Sequence, residues 1–125
     1  MNSLLIAMVV SLLAFTINRQ LVIKFGNETM FYLIPLVEEI LKSGGFYLLG
    51  GNLVIIHLGF GIIEGIFDYL DSTLAAILAV ISHLIFGYLT LVIFEQTGEL
   101  LLAILMVGLV HSYWNYKIGG IVEWN

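Results

Sequence analysis

The sequence contains no cysteine and few charged residues, and both absences narrow the class of protein it encodes. Without cysteine, a disulfide framework and a thiolate metal site are both excluded. Charged residues make up 10% of the chain, whereas soluble globular proteins carry about 25%. Four basic residues against nine acidic ones give a net charge of −5, which argues against nucleic-acid binding. A single proline and the lack of a Ser/Pro-rich stretch leave no room for a linker, so one domain is expected.

Apolar sequence is what the chain has in abundance, since 61% of its residues are hydrophobic and the mean hydropathy is +1.09. Five apolar runs each approach the roughly 20 residues that a helix needs to cross a bilayer. They predict an all-α, polytopic bundle of about five transmembrane helices in one integral-membrane domain, residues 1–125. The first run has no basic leading segment and no small-residue cleavage site, so we expect a retained helix and not a signal peptide. The predicted helices cover about residues 3–23, 29–50, 53–68, 73–94 and 100–117.

Basic residues near the helix ends predict the orientation, because cytoplasmic loops of membrane proteins are enriched in Lys and Arg. Arg19 and Lys24 lie in a polar segment, residues 18–28, which is predicted to form the first loop. Lys117 follows the fifth run, so with five spans all three basic residues fall on one side. The opposite side, with the turn at residues 50–52 and the loop at residues 95–99, has none. We therefore expect a protein of the cell membrane with its N-terminus outside and its C-terminus in the cytoplasm.

Three ionisable side chains interrupt the second apolar run: Glu38, Glu39 and Lys42. A charge at the bilayer centre costs about 2.5–3.5 kcal/mol on insertion scales, so such residues indicate a functional site by default. Glu38 and Lys42 are one helical turn apart and are predicted to pair, while Glu39 is turned by about 100° from Glu38. The structural alternative is an ion pair that only allows the helix to carry charge inside a bundle.

The third helix carries His57, Gly61 and Glu64 on one face, at spacings of four and three residues. The pair Gly61 and Gly65 predicts a close approach to another helix. Glu64 lies near the inner end of its helix, where it could act in a site or extend toward the interface. His57 lies near the outer end and is predicted to be a hydrogen-bonded interfacial histidine and not a ligand.

Two histidines on separate helices complete the candidate site. His83 lies in the middle of a stripe of small residues on the fourth helix, and His111 precedes Asn115 by one turn on the fifth. A single membrane histidine can simply hold helices together, with about 0.6 kcal/mol per hydrogen bond on average. Two of them, together with a buried acidic pair, favour a shared site.

Carboxylates and imidazoles without a nucleophilic side chain suggest that the site activates water. A buried Glu can act as general base, while His and Asn side chains can donate hydrogen bonds to a developing oxyanion. Alternatively, Glu38, His83 and His111 could bind Zn²⁺ and leave its fourth position open. No His-Glu-x-x-His motif is present. The residues alone leave both mechanisms open.

Taken in order, these motifs resemble the PrsW-type membrane proteases, within the superfamily of CAAX prenyl endopeptidases and bacteriocin-processing enzymes. The motifs lie on successive helices and cover about residues 35–116: Glu38-Glu39-x-x-Lys42, Phe60-x-x-x-Glu64, His83 and His111-x-x-x-Asn115. CAAX and bacteriocin-processing members typically have Glu-Glu-x-x-x-Arg. Here the base is Lys42 and the next residue is Ser43, which favours the PrsW branch.

The resemblance implies a hydrolase, namely an intramembrane or membrane-proximal endopeptidase acting on a membrane-associated polypeptide substrate. It implies that Glu38 and Glu39 activate water and that His83, His111 and Asn115 act as metal ligands or oxyanion donors. The supporting residues of the site would be Lys42, Phe60 and Glu64.

Two other functions are consistent with the same residues. The superfamily includes a non-catalytic scaffold subunit of gamma-secretase, so the polar cluster could serve only to hold helices together. Chains of acidic residues and histidines also mark proton relays, so a proton- or cation-translocating bundle is the third hypothesis. Five short helices could need a second copy to enclose a cavity, which makes a homodimer the candidate assembly.

The predicted topology can be tested with reporter fusions. Reporters placed after Lys24 and after Glu123 should both read cytoplasmic, and a reporter at Gly98 should read external, because the basic residues flank the first two positions. An external signal from the fusion after Glu123 would exclude the arrangement with five spans.

Overall fold

The structure is a computed structural model that describes residues 2–119 and 121, and within them it contains five α-helices and no strand. The all-α class predicted from the sequence is confirmed. Glu123, where the topology prediction places its last reporter, lies outside the described residues. The helices are α1 (Ser3–Phe25), α2 (Leu33–Leu49), α3 (Leu53–Asp68), α4 (Thr73–Thr97) and α5 (Leu100–Gly119), with a 3₁₀ turn at Asn27–Phe31.

Short polar side chains and glycines determine where the helices begin and end. The Asn52 side chain accepts a hydrogen bond from the Ile55 backbone N–H at 3.0 Å, and Ser72 accepts one from Ala75 at 3.3 Å. These contacts satisfy N–H groups that have no partner within the first turn of α3 and α4. α4 ends at Thr97 and is followed by Gly98, whose φ of 73° is left-handed and therefore favours glycine.

The segment between the first two helices differs from the sequence prediction. The first helix ends at Phe25, two residues beyond the predicted end near residue 23, so most of the polar segment 18–28 is helical and not a loop; the second α-helix begins at Leu33 instead of near residue 29. Pro35 explains the later start, because in a longer helix its ring would clash with the carbonyl of Phe31, four residues earlier. In the observed first turn of α2 the missing N–H of Pro35 has no such consequence.

The five helices close into a ring in the order α1, α3, α4, α5, α2, and each helix packs against both of its neighbours. α3 and α4 form the most extensive pair. On one side of the ring, α1 packs on α3 through an apolar cluster that includes Ile6, Val10, Ile56 and Phe60. The opposite part of the interior, between α2, α4 and α5, is polar.

The distribution of side chains is the reverse of that in a soluble protein. Charged and imidazole side chains are buried in the ring, while large apolar residues on its outside, such as Leu48 and Leu109, are 78% and 74% exposed. Two helices, α1 and α4, are long and apolar enough to cross a membrane. α2 and α3 contain 17 and 16 residues, which corresponds to about 24–26 Å at the rise of an α-helix.

Close contact between α3 and α4 depends on glycine. A Cβ atom at Gly61 would lie 2.7 Å from the Cβ of His83 and 3.0 Å from the Ala79 carbonyl oxygen. A Cβ at Gly65 would lie 2.9 Å from the carbonyl oxygen of Ala76. The packing role predicted for Gly61 and Gly65 is confirmed, because any side chain at either position would meet the backbone of α4.

Substituting glycine by alanine tests this packing, with Gly44 as the matched control. We expect Gly61→Ala to lower the thermal midpoint of the protein in detergent micelles, since overpacking costs about 1–3 kcal/mol. Gly44 lies in α2 with open space around its Cα. Gly44→Ala should therefore leave the midpoint unchanged or raise it, through better helix propensity. Equal midpoints for the two variants would contradict a tight contact at Gly61.

Candidate active site

The centre of the polar interior is occupied by three side chains from α2. Glu38, Glu39 and Lys42 lie on consecutive turns of the face that points into the ring, and each is at most 4% exposed. They are the residues that the sequence singled out in the second apolar run. Burial of two carboxylates and an ammonium group requires compensating contacts, because each isolated ion loses several kcal/mol of hydration.

Lys42 pairs with Glu39, and the predicted pairing with Glu38 is wrong. Lys42 Nζ lies 2.6 Å from Glu39 Oε1. Residues three and four apart both lie one turn away on a helix, so the spacing alone did not decide between the two carboxylates. Glu38 turns instead toward α1, where Asn18 Nδ2 donates a hydrogen bond to its Oε1 at 2.8 Å.

His83 links Lys42 to Glu64. Lys42 Nζ lies 3.0 Å from His83 Nδ1, and Glu64 Oε2 lies 2.5 Å from His83 Nε2. Because an ammonium group only donates hydrogen bonds, Nδ1 accepts, and in the neutral ring the proton is on Nε2, which donates to Glu64. Phe60 covers Lys42 and His83, with its ring centroid 4.7 Å from Lys42 Nζ and 5.1 Å from the His83 ring.

His111 faces both carboxylates of α2. Its Nδ1 lies 2.9 Å from Glu39 Oε1 and its Nε2 lies 3.8 Å from Glu38 Oε2. A carboxylate oxygen accepts, so Nδ1 carries the proton and Nε2 of the neutral ring presents a lone pair toward Glu38. Neither Nε2 nor Glu38 Oε2 makes a hydrogen bond with any other described residue. Two acceptor atoms thus face each other across a short gap.

His57 belongs to the polar centre, contrary to the prediction of an interfacial, hydrogen-bonded side chain. It is fully buried, its Nδ1 lies 3.7 Å from Glu39 Oε2, and neither ring nitrogen has a hydrogen-bond partner among the described residues. The sequence contained a sign of this position, since His57 shares its helix face with Gly61 and Glu64. Asn18 was also missed, because it begins the polar segment 18–28, which was interpreted as the first loop and not as part of a site.

Asn115 hydrogen-bonds to the 3₁₀ turn and not to the described Glu and His side chains of the cluster. Its Nδ2 donates to the backbone carbonyl of Met30 in the 3₁₀ turn at 3.3 Å. It nevertheless lines the same cavity as Glu64, His83 and His111. The sequence-predicted site residues therefore converge, with Asn115 at the cavity wall and the other seven in or beside the polar centre.

Glu38, His83 and His111 could hold a metal ion, since one potential ligand atom from each lies within 4.8 Å of the others. One carboxylate and two imidazoles suit Zn²⁺ with an open fourth position. In the observed arrangement, however, both nitrogens of His83 are in hydrogen bonds, one with Lys42 and one with Glu64. Metal binding by His83 would require one of these bonds to break.

A cavity of about 540 Å³ connects the cluster with one end of the bundle. It lies between the C-terminal halves of α3 and α5, the N-terminal half of α4 and the 3₁₀ turn. Its size is that of a site for a small molecule or a few amino-acid side chains. Through this cavity, His83 and His111 are within reach of molecules outside the protein.

No protein family, no curated protein and no solved structure matches this chain. The resemblance to PrsW-type proteases therefore stays a prediction that depends on the motif residues and on the geometry they adopt.

The new pairing of Lys42 can be tested by double substitution. Lys42→Met should lower folded yield and thermal midpoint, since removing one partner of a buried ion pair costs about 3–5 kcal/mol. Adding Glu39→Gln should restore much of the loss, because it removes the carboxylate that Lys42 neutralises. The matched control is Glu38→Gln in the Lys42→Met background, which should restore little. A larger rescue by Glu38→Gln would reinstate the pairing predicted from the sequence.

Proposed function

We propose that the protein is a membrane endopeptidase that hydrolyses a peptide bond in a membrane-associated polypeptide substrate. The observation that carries this proposal is Glu38 Oε2, a buried acceptor without a hydrogen-bond partner among the described residues, which lies 3.8 Å from His111 Nε2, the ring nitrogen that Glu39 does not use. Only a donor can bridge two acceptors, and water is the smallest group that donates to both. Because the two atoms are 3.8 Å apart, such a water would lie beside the line that joins them, at hydrogen-bond distance from both, and there it is placed for activation as a nucleophile.

Glu38 is the general base in this mechanism. It takes a proton from the water as the water oxygen attacks the scissile carbonyl carbon, and it returns the proton to the leaving amine. His111 orients the water through Nε2, and Glu39 in turn holds His111 through Nδ1. Glu39 therefore acts through His111, and Lys42 neutralises Glu39.

Asn115 is the proposed donor to the oxyanion. Its amide carries two N–H groups, and the Met30 carbonyl uses one of them. The other is available to an oxygen atom that develops negative charge inside the cavity.

A metal-dependent form of the same reaction is supported by the placement of Glu38, His83 and His111 around one point. A bound Zn²⁺ would supply Lewis acidity and a more acidic water molecule. Glu38, His83 and His111 would hold the ion, and binding through either nitrogen of His83 would displace one of its two partners, Lys42 or Glu64.

The apolar exterior supports a location in the lipid bilayer. Leucine, isoleucine, phenylalanine and methionine side chains cover the outside of the ring, and α1 and α4 are each long and apolar enough to span a bilayer. A soluble monomer rarely exposes apolar surface on this scale. We propose that all five helices cross the membrane, with the shorter α2 and α3 accommodated by local thinning of the bilayer.

The test is cleavage of a panel of single-span substrates by purified protein in neutral detergent. Glu38→Gln should lower the rate about 10²–10⁴-fold, the range for loss of a general base. Glu95→Gln, which removes an exposed carboxylate near the C-terminal end of α4, is the control and should cleave like wild type. A chelator followed by Zn²⁺ distinguishes the two forms, since only the metal-dependent one should lose and regain activity. Wild-type protein that cleaves no substrate, or cleaves as Glu38→Gln does, would favour the scaffold hypothesis.

A further inference from the structure

The cavity that leads to the candidate site is lined by carboxylates. Glu64, Asp68 and Asp71 all lie in its wall, and no lysine or arginine is among the described residues that line it. Three carboxylates that line one cavity repel one another wherever they are ionised. Among the described residues, Glu64 pairs with one basic side chain, His83, at the inner end of the cavity. A cation placed among these carboxylates would relieve their mutual repulsion.

The inner end of the same cavity is formed by a buried imidazole that uses only one of its two ring nitrogens in a hydrogen bond with the described residues. His111 is 2% exposed and lines the cavity, and its Nε2 makes no hydrogen bond with the described residues. The cavity thus joins an acidic outer part to the atom that faces Glu38. A ligand held by its positive charge in the outer part would extend toward the proposed water-activating pair.

The position of the cavity in the bundle indicates which ligand carries that charge. It opens at the end where α1, α3 and α5 terminate, which is also the end that carries Lys24 and Lys117. Segments of membrane proteins that flank their spans on the cytoplasmic side are enriched in lysine and arginine. A polypeptide that enters from this side therefore brings basic side chains close to the cavity.

We propose that the cavity binds a lysine or arginine side chain of the substrate, next to the scissile bond, so that the enzyme selects basic juxtamembrane segments. This assignment of a substrate class rests on the proposed protease function. Asp68 and Asp71 are the specificity residues, since Glu64 also contacts His83 and belongs to the site itself.

Binding can be measured apart from catalysis because Trp114 lines the cavity. Trp114 and Trp124 are the two tryptophans of the chain, so Trp124→Phe leaves one fluorescent reporter. In neutral detergent, this variant is titrated with two peptides that differ only in lysine against norleucine, its uncharged near-isostere. We expect the lysine peptide to bind at least about tenfold more tightly, as for a partly screened charge pair of about 1.4 kcal/mol.

Charge variants complete the test. Asp68→Asn together with Asp71→Asn should reduce the preference for lysine to less than about threefold, in both peptide binding and relative kcat/KM. The matched control is Glu99→Gln, which removes one exposed carboxylate at the opposite end of the bundle and should leave the preference unchanged. Asp68→Lys should favour a peptide with glutamate at the same position, which also shows that the variant is folded.

The outcomes separate the two proposals. Equal binding and equal cleavage of the lysine and norleucine peptides by a protein with Glu38-dependent activity would overturn the selectivity and leave the protease function in place. Charge-selective binding without any Glu38-dependent cleavage would overturn the protease function and with it the assignment of the ligand as substrate. Charge selectivity in both measurements, lost on substitution of Asp68 and Asp71, supports the inference.

Discussion

The polar interior of this protein depends on the ammonium group of Lys42. Burial removes the water molecules around this ammonium group, so acceptors in the protein must replace them. Three helices provide these acceptors: Glu39, His83 and the face of Phe60. Because the group only donates hydrogen bonds, it also determines the direction of the bonds next to it. The proton positions on His83 follow directly, and those on His111 follow through Glu39. One side chain thus fixes both the packing of α2 and the arrangement of protons around it.

Much of the fold could be predicted from apolar runs and turn residues, because a helix in a bundle of this kind leaves a continuous hydrophobic pattern. The polar stripes were equally informative, since Glu64, His83 and His111 each lie on a helix face that points inward. A helix face, however, specifies only a direction. To predict that these three faces meet at one place, the order of the helices around the ring must be known, and the sequence does not give it.

The sequence could not predict which of two equally spaced side chains a given group contacts. Glu38 and Glu39 are both one turn from Lys42, and the neighbour that separates them, Asn18, lies on a different helix. Its role was hidden because α1 continues through a segment rich in polar residues. His57 was misjudged for a related reason: depth along a helix suggested an interface, whereas the close approach of α4 buries it.

The contact between α3 and α4 is reciprocal, and this has a consequence for how the chain can change. A Cβ at Gly61 would touch His83, and one at Gly87 would lie 2.6 Å from the Cβ of His57. Each helix therefore places a histidine against a glycine of the other. On each helix the histidine and the glycine are one turn apart, and the two helices run antiparallel. A substitution at either histidine would change the packing of the glycine opposite it, and with it the distance between α3 and α4 at the second contact. The four positions are therefore coupled. Related sequences are expected to vary them together, with a larger side chain on one helix matched by a smaller one opposite.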